Sequence, residues 1–143
     1  MELACTMDIY TTCLDLAGVA IPKDRFIDGV NMAPHLFGNG KSLRDAMFFY
    51  RGSRLMAVRK GPWKAHFITQ AGYDGKPTKH VPPMLFHLEH DPSEKYNIAD
   101  KHPEIIAEIN KAVEDHRKKL KVSKSHLDNL DRSKNIMDWL TIE

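Results

Sequence analysis

Eight histidines and two cysteines are the residues whose chemistry could hold a metal or supply a nucleophile. Their spacing does not build either site. His66, His80, His87, His90 and His102 fall on strand, loop and turn segments, without the HxxxH or HExxH spacing that puts two imidazoles on one helix face. His87 and His90 flank a strand end in His87-Leu88-Glu89-His90-Asp91, where solvated turn residues are the better reading than a metal pair. Asp91 with Glu89 or Glu94 is a carboxylate pair on paper, but Asp91-Pro92-Ser93 is more simply a turn opening. Cys5 and Cys13 stand eight residues apart on one expected helix, about 12 Å at roughly 1.5 Å per residue. A disulfide needs Cα atoms within about 7 Å, so both are expected to be small core residues. No glycine-rich phosphate loop and no GxSxG elbow occurs.

Composition narrows the class further. A chain of 143 residues, 42% hydrophobic and 28% charged, holds one ordinary domain with a core. A net charge of +2 argues against a nucleic-acid or acidic-membrane binder, which concentrates basic charge far more strongly. No apolar run approaches the roughly 20 residues of a membrane span. Met1 to Asp8 lacks the basic start and apolar stretch of a secretory signal.

The elements that must position any site can be read from periodicity. Ile9, Tyr10, Cys13, Leu14, Leu16 and Ala17 recur at helical spacing, which predicts a helix over Thr6 to Ala17 with Gly18 as its stop. Val19 to Gly40 reads as an irregular connector with one helical turn at Met32 to Phe37. Met47–Tyr50, Arg54–Arg59 and Trp63–Thr69 read as strands joined by Arg51-Gly52-Ser53 and Lys60-Gly61-Pro62 turns. Gln70 to Pro83 is expected to be a long polar loop before a fourth strand at Met84–Leu88. Such close spacing favours antiparallel pairing, with Trp63, Ala65 and Phe67 on the core face and Lys64, His66 and Ile68 on the other. Tyr96 and Ile98 are expected to anchor the entry to a helix over Pro103–Leu120. That helix carries Ile105, Ile109, Ala112 or Val113, His116 and Leu120 as its packing stripe. The fold class is α+β: a small antiparallel sheet of about four strands packed against one long C-terminal helix.

Several of these stretches together resemble one family. Met7 to Val19 (MDIYTTCLDLAGV), Pro22, Asp28-Gly29-Val30-Asn31 and Leu36-Phe37-Gly38 resemble the segment that closes the main domain of the formylglycine-dependent sulfatases. Phe49-Tyr50-Arg51-Gly52 with Leu55 to Phe67 is similar to their C-terminal hairpin. Pro83 to Leu88 with Asp91-Pro92-Ser93-Glu94-Lys95-Tyr96-Asn97-Ile98 resembles their last strand and its DPxExxN turn. The Lys64-Ala65-His66-Phe67 element looks closest to the arylsulfatase A and N-acetylgalactosamine-6-sulfatase branch.

The resemblance implies a division into 1–40, the helix and linker that end a large α/β domain; 41–120, the C-terminal subdomain; and 121–143, an extension. It implies calcium and a formylglycine located upstream, and an exported parent, whether periplasmic, secreted or lysosomal. The family's nucleophile lies in a C/S-x-P/A-x-R setting that neither Cys5 nor Cys13 matches. No catalytic or metal-ligating residue is therefore assigned in this chain, which is expected to be inactive alone and to shape the substrate cleft of a sulfuric ester hydrolase. Its expected partners are the N-terminal catalytic domain of the same parent and a sulfated small molecule or glycan, with no nucleic acid and no membrane. The alternative is a stand-alone binding module for sulfated carbohydrate. His66, Tyr73 and Lys79 are the candidate substrate-facing residues, against the plainer reading of a hydrogen-bonded histidine and a solvent loop. The N-terminal helix, deprived of its large-domain cover, is expected to self-associate, to be disordered or to repack onto the sheet.

Overall fold

The computed structural model describes residues 2–38, 40–72 and 75–120. The expected extension at 121–143 lies outside the described residues. Helix α1 (Met7–Leu16) and the single turn α2 (Ala33–Leu36) precede strands β1 (Ala46–Arg51), β2 (Arg54–Lys60), β3 (Trp63–Gln70) and β4 (Pro77–His87). A short 3-10 turn (Ala99–Lys101) then leads into the long helix α3 (Pro103–Lys119). The strands form one antiparallel sheet in the order β1-β2-β3-β4, which is α+β as expected. Gly52 and Gly61, at φ of 58° and 55°, supply the left-handed residue that each of the first two tight turns needs.

The core lies between one sheet face and α3. Leu55, Val58, Ala65 and Leu85 from the strands meet Ile106, Ile109 and Val113, with Phe48, Trp63 and Phe67 packed around them. Fully burying such side chains is worth about 1.5–3 kcal/mol each. A bulge keeps Leu55 in this set: Phe49 pairs with Ala57 and Tyr50 with Leu55, so Met56 is passed over. The expected α3 stripe omitted Ile106, which is buried, and included Leu120, which is 43% exposed. His116 does face the sheet, stacked on Phe48 with ring centroids 3.9 Å apart and 3.0 Å from the Tyr50 hydroxyl.

Two further expectations are corrected. The stretch from Gln70 to Pro83 is not a long loop, because β4 begins at Pro77 and pairs with β3 through Ile68↔Lys79 and His66↔Met84. Phe67 thus faces a four-residue outward bow, His80 to Pro83, containing a cis Val81–Pro82 bond. Prolines cannot donate to a ladder, but β4 is an edge strand and tolerates them. The second correction concerns α1, whose buried residues are Asp8, Thr11 and Thr12. Ile9, Tyr10 and Leu16 are more than half exposed, and Cys13, expected in the core, is exposed too.

The inversion has a cause. The Gly29–Met32 strip runs against α1 with backbone groups that need polar partners once covered. Asp8 accepts from the Val30 and Cys5 amides at 2.9 and 2.8 Å, Thr11 donates to the Val30 carbonyl at 2.7 Å, and Thr12 accepts from the Met32 amide at 2.9 Å. Arg44, just before β1, closes on Asp8 through both Nε and Nη2 and donates to the Asp28 carbonyl. A Cβ at Gly29 would sit 2.3 Å from the Met7 carbonyl oxygen, so only glycine fits there. Burial pushes the Asp8 carboxyl up, but the Arg44 guanidinium and the Val30 and Cys5 amides outweigh it, holding the carboxyl well below the usual carboxylate range.

Arg44→Ala strands this carboxylate in a buried site and is expected to cost about 3–5 kcal/mol in urea unfolding. Because the folded carboxyl titrates below the unfolded value of about 3.9, its stabilisation is complete above that pH and fades as pH falls towards the folded value. The stability gap between the wild type and Asp8→Asn should therefore be full at neutral pH and shrink in acid. A gap that stayed constant down to the acid transition would contradict this assignment.

Candidate functional site

The sheet face opposite α3 carries the first candidate, His66. It lies on β3 two residues from Lys64, and both side chains converge on one carboxylate from the turn after β4. Glu94 Oε2 sits 2.5 Å from His66 Nε2, and Glu94 Oε1 accepts from Lys64 Nζ at 2.6 Å. The His66 ring also meets Phe86 edge-on at 5.7 Å, and the Lys64 ammonium lies 5.4 Å from the Phe49 ring centre. Burial pushes the Glu94 carboxyl up, yet the contacts to Lys64 and His66 prevail and leave it below its ordinary range. This is a charge-assisted cluster, about one-fifth exposed at Lys64 and His66, in which the imidazole orientation is fixed by a carboxylate.

The DPSEKYN turn is what delivers Glu94. Asp91 receives the Tyr96 amide at 2.8 Å, in keeping with a turn opening. Asn97 Oδ1 accepts from Leu85 and Ala99 amides at 2.9 and 3.1 Å, tying the turn to β4 and to the 3-10 segment. Glu94 itself has φ of 54°, a left-handed conformation uncommon for a side chain of this kind. Tyr96, expected as an anchor, is 71% exposed, and the tethering falls to Asn97 and to the Ile98 amide, which donates to the Leu85 carbonyl. Sequence reasoning named Glu94 only as a turn carboxylate and missed its link to His66, which lies 28 positions away with no periodicity between them.

Lys79 occupies a different place. It lines an open groove of about 520 Å³ with Arg54, Leu55, Phe67, His80 and Arg117, a lining that does not include His66. Tyr73 lies outside the described residues. His87 and His90 stack at 4.1 Å beside Trp63, an arrangement of parallel rings rather than of converging nitrogen ligands. Among the described residues no three His, Cys, Asp or Glu side chains come together to hold a metal ion. No described helix is long and apolar enough to cross a membrane.

Residues 42–142 match the family described as the C-terminal region of aryl-sulfatase. The chain is 33% identical to N-acetylgalactosamine-6-sulfatase of Canis lupus familiaris, over 96% of this chain and 30% of that protein. It is 39% identical to arylsulfatase A of Bos taurus, over 89% of this chain and 27% of that protein. The PsFucS1 sulfatase from Pseudoalteromonas sp. superposes with a TM-score of 0.68 at 26% identity, covering 78% of this chain and 25% of that one. The chain thus spans under a third of the length of the relatives it matches.

Glu94 carries two opposing contributions that substitution can separate. Glu94→Ala loses both contacts and should cost about 1–3 kcal/mol in chemical denaturation. Glu94→Gly loses the same contacts but relaxes the left-handed backbone, and should be the more stable of the two by about 1 kcal/mol. Equal stability of these variants would mean that the turn is held in this conformation without strain.

Proposed function

The chain belongs to the aryl-sulfatase C-terminal family, and from that premise we propose that it completes the substrate cleft of a sulfuric ester hydrolase without hydrolysing esters by itself. The observation that carries this reading is the match over 42–142 combined with coverage of only 30% and 27% of two full-length relatives. Sulfate-ester cleavage needs an activated oxygen nucleophile and fixed positive charge around the sulfate oxygens. Cys5 and Cys13 stand outside any C/S-x-P/A-x-R setting. The formylglycine and calcium that the family implies belong, on this reading, to the parent's large domain. Catalysis is then supplied there and selection here, in an exported protein acting on a sulfated small molecule or glycan.

Within that division of labour His66 is a cleft-wall residue whose ring is held at a fixed angle by Glu94, and Lys79 and Tyr73 are further candidates for recognition. The outward apolar side of α1 is the docking face for the large domain. Ile9, Tyr10 and Leu16 on it are exposed, as are Leu36 and Phe37 beside it. Helix α1 has the Gly29–Met32 strip and Arg44 as the polar partners of its inner side. Covering each such side chain recovers about 25 cal/mol per Å² of apolar area, which favours self-association when the large domain is missing.

Purified chain should give no turnover of a chromogenic aryl sulfate, while its full-length parent does. Turnover by the isolated chain at a rate comparable with the parent would end this reading. In the parent, His66→Ala should lower kcat/KM for a sulfated sugar more than for a small aryl sulfate. An unchanged ratio would remove His66 from recognition. In sedimentation velocity the chain should associate as its concentration rises, and Ile9→Ser with Leu16→Ser should restore a monomer. Persistence of the same oligomer would exclude the α1 face.

A further inference from the structure

The groove beside Lys79 has a composition that the cleft-wall reading does not explain. Three elements bring one cation each to its rim: Arg54 from the start of β2, Lys79 from β4 and Arg117 from the last turn of α3. Among the described residues no carboxylate lines it, although acidic residues are nearly as numerous as basic ones in the chain, 19 against 21. Among the described residues none of the three cations has an ion-pair or side-chain hydrogen-bond partner. Other cations of the sheet do have partners, as in Lys60 with Asp45 and Glu108 at 3.0 and 3.1 Å and Lys64 with Glu94. Three like charges converging on one concavity repel each other, and an anion relieves that repulsion.

The floor is of the opposite character. Leu55 is buried beneath the groove and Phe67 is half-buried, both continuous with the core. His80 forms part of the wall, its Nε2 held at 2.8 Å by the Thr69 hydroxyl. Opposite Phe67 the β3–β4 register passes over His80 to Pro83, and His80, Val81 and Pro83 line the concavity. A simple inorganic anion would use the rim but not the floor. A cavity of about 520 Å³ falls in the roughly 300–1,000 Å³ range of small-molecule sites, and it suits a ligand with an apolar ring face and anionic substituents at its edge.

We propose that the Arg54–Lys79–Arg117 groove is a binding site for a sulfated oligosaccharide, taking sulfate groups on the cationic rim and a sugar ring face on Leu55 and Phe67. The identity of the anionic group as sulfate rests on the family reading above; the preference for an anionic sugar rests on the groove alone. The site acts by binding and involves no bond cleavage.

The test is calorimetric titration of the 143-residue chain with a tetrasaccharide bearing 6-sulfated N-acetylgalactosamine. The same tetrasaccharide after desulfation, inorganic sulfate, a 6-phosphorylated sugar and a short DNA duplex serve as separate arms. The sulfated tetrasaccharide should bind, weaken with rising salt, and lose about tenfold or more in affinity in the triple variant Arg54→Gln, Lys79→Gln, Arg117→Gln. Changing three exposed lysines elsewhere, Lys95, Lys101 and Lys111, to Gln should leave affinity unchanged, as should Arg54→Lys with Arg117→Lys to within a few-fold. Binding of desulfated sugar, inorganic sulfate or DNA as tightly as the sulfated sugar would overturn the proposal, as would full affinity in the triple variant. Tighter binding of the phosphorylated sugar would keep the groove as an anionic-sugar site but refute sulfate as its group. Failure of all arms would refute the groove while leaving the absence of aryl sulfate turnover to judge the family reading independently.

Discussion

A carboxylate with no solvent contact, Asp8, ties α1 to the Gly29–Met32 strip and to the approach to β1. It is reached by Arg44 from the approach to β1, by the Val30 amide of the Asp28-Gly29-Val30-Asn31 turn and by the Cys5 amide ahead of α1. Isolated burial of such a charge costs several kcal/mol, and only a complete set of donors makes it tolerable. The set is complete here because Gly29 lets the backbone approach α1 closely enough for the Val30 amide to arrive. Helix, turn and sheet entry are thereby joined through one polar node. The apolar residues of α1 are left free to face outward.

The sheet then works with two different faces. Towards α3 it is sealed by aliphatic packing around Val58, Ala65, Leu85 and Ile109, all almost fully buried. On the other side, Lys64, His66 and Glu94 make a compact charged cluster over Phe86 and Phe49. At one end, beside the register shift of β4, Arg54, Lys79 and Arg117 line a groove with no acid among its described residues. Rigid strands thus carry polar groups whose geometry is set by the core behind them, a favourable basis for recognition.

Much of this was legible before any coordinates. The first three strands and α3 follow alternation and the 3.6-residue period, and their ends coincide with Gly52, Gly61 and Pro103, which act locally. What escaped depends on partners distant in sequence. Pro77, Pro82 and Pro83 read as a loop, but an edge strand accepts them on its unpaired side. The apolar spacing of α1 identifies a helix correctly without saying which side is buried, since Asp8, Thr11 and Thr12 answer to a turn some twenty residues later. His66 could be singled out from its strand face, whereas Glu94 could not. The three groove cations come from β2, β4 and α3, so no linear motif contains them.

The bowed edge has a last consequence, for how copies of the molecule meet. An open strand edge is a template for intermolecular ladder formation. Here β4 offers Pro82 and Pro83 where donors would be required, together with the protruding Val81 and the charge of Lys79. A second molecule therefore cannot extend the sheet across this border in register. Growth along β4 into a continuous cross-β array is thereby opposed at this border of the sheet.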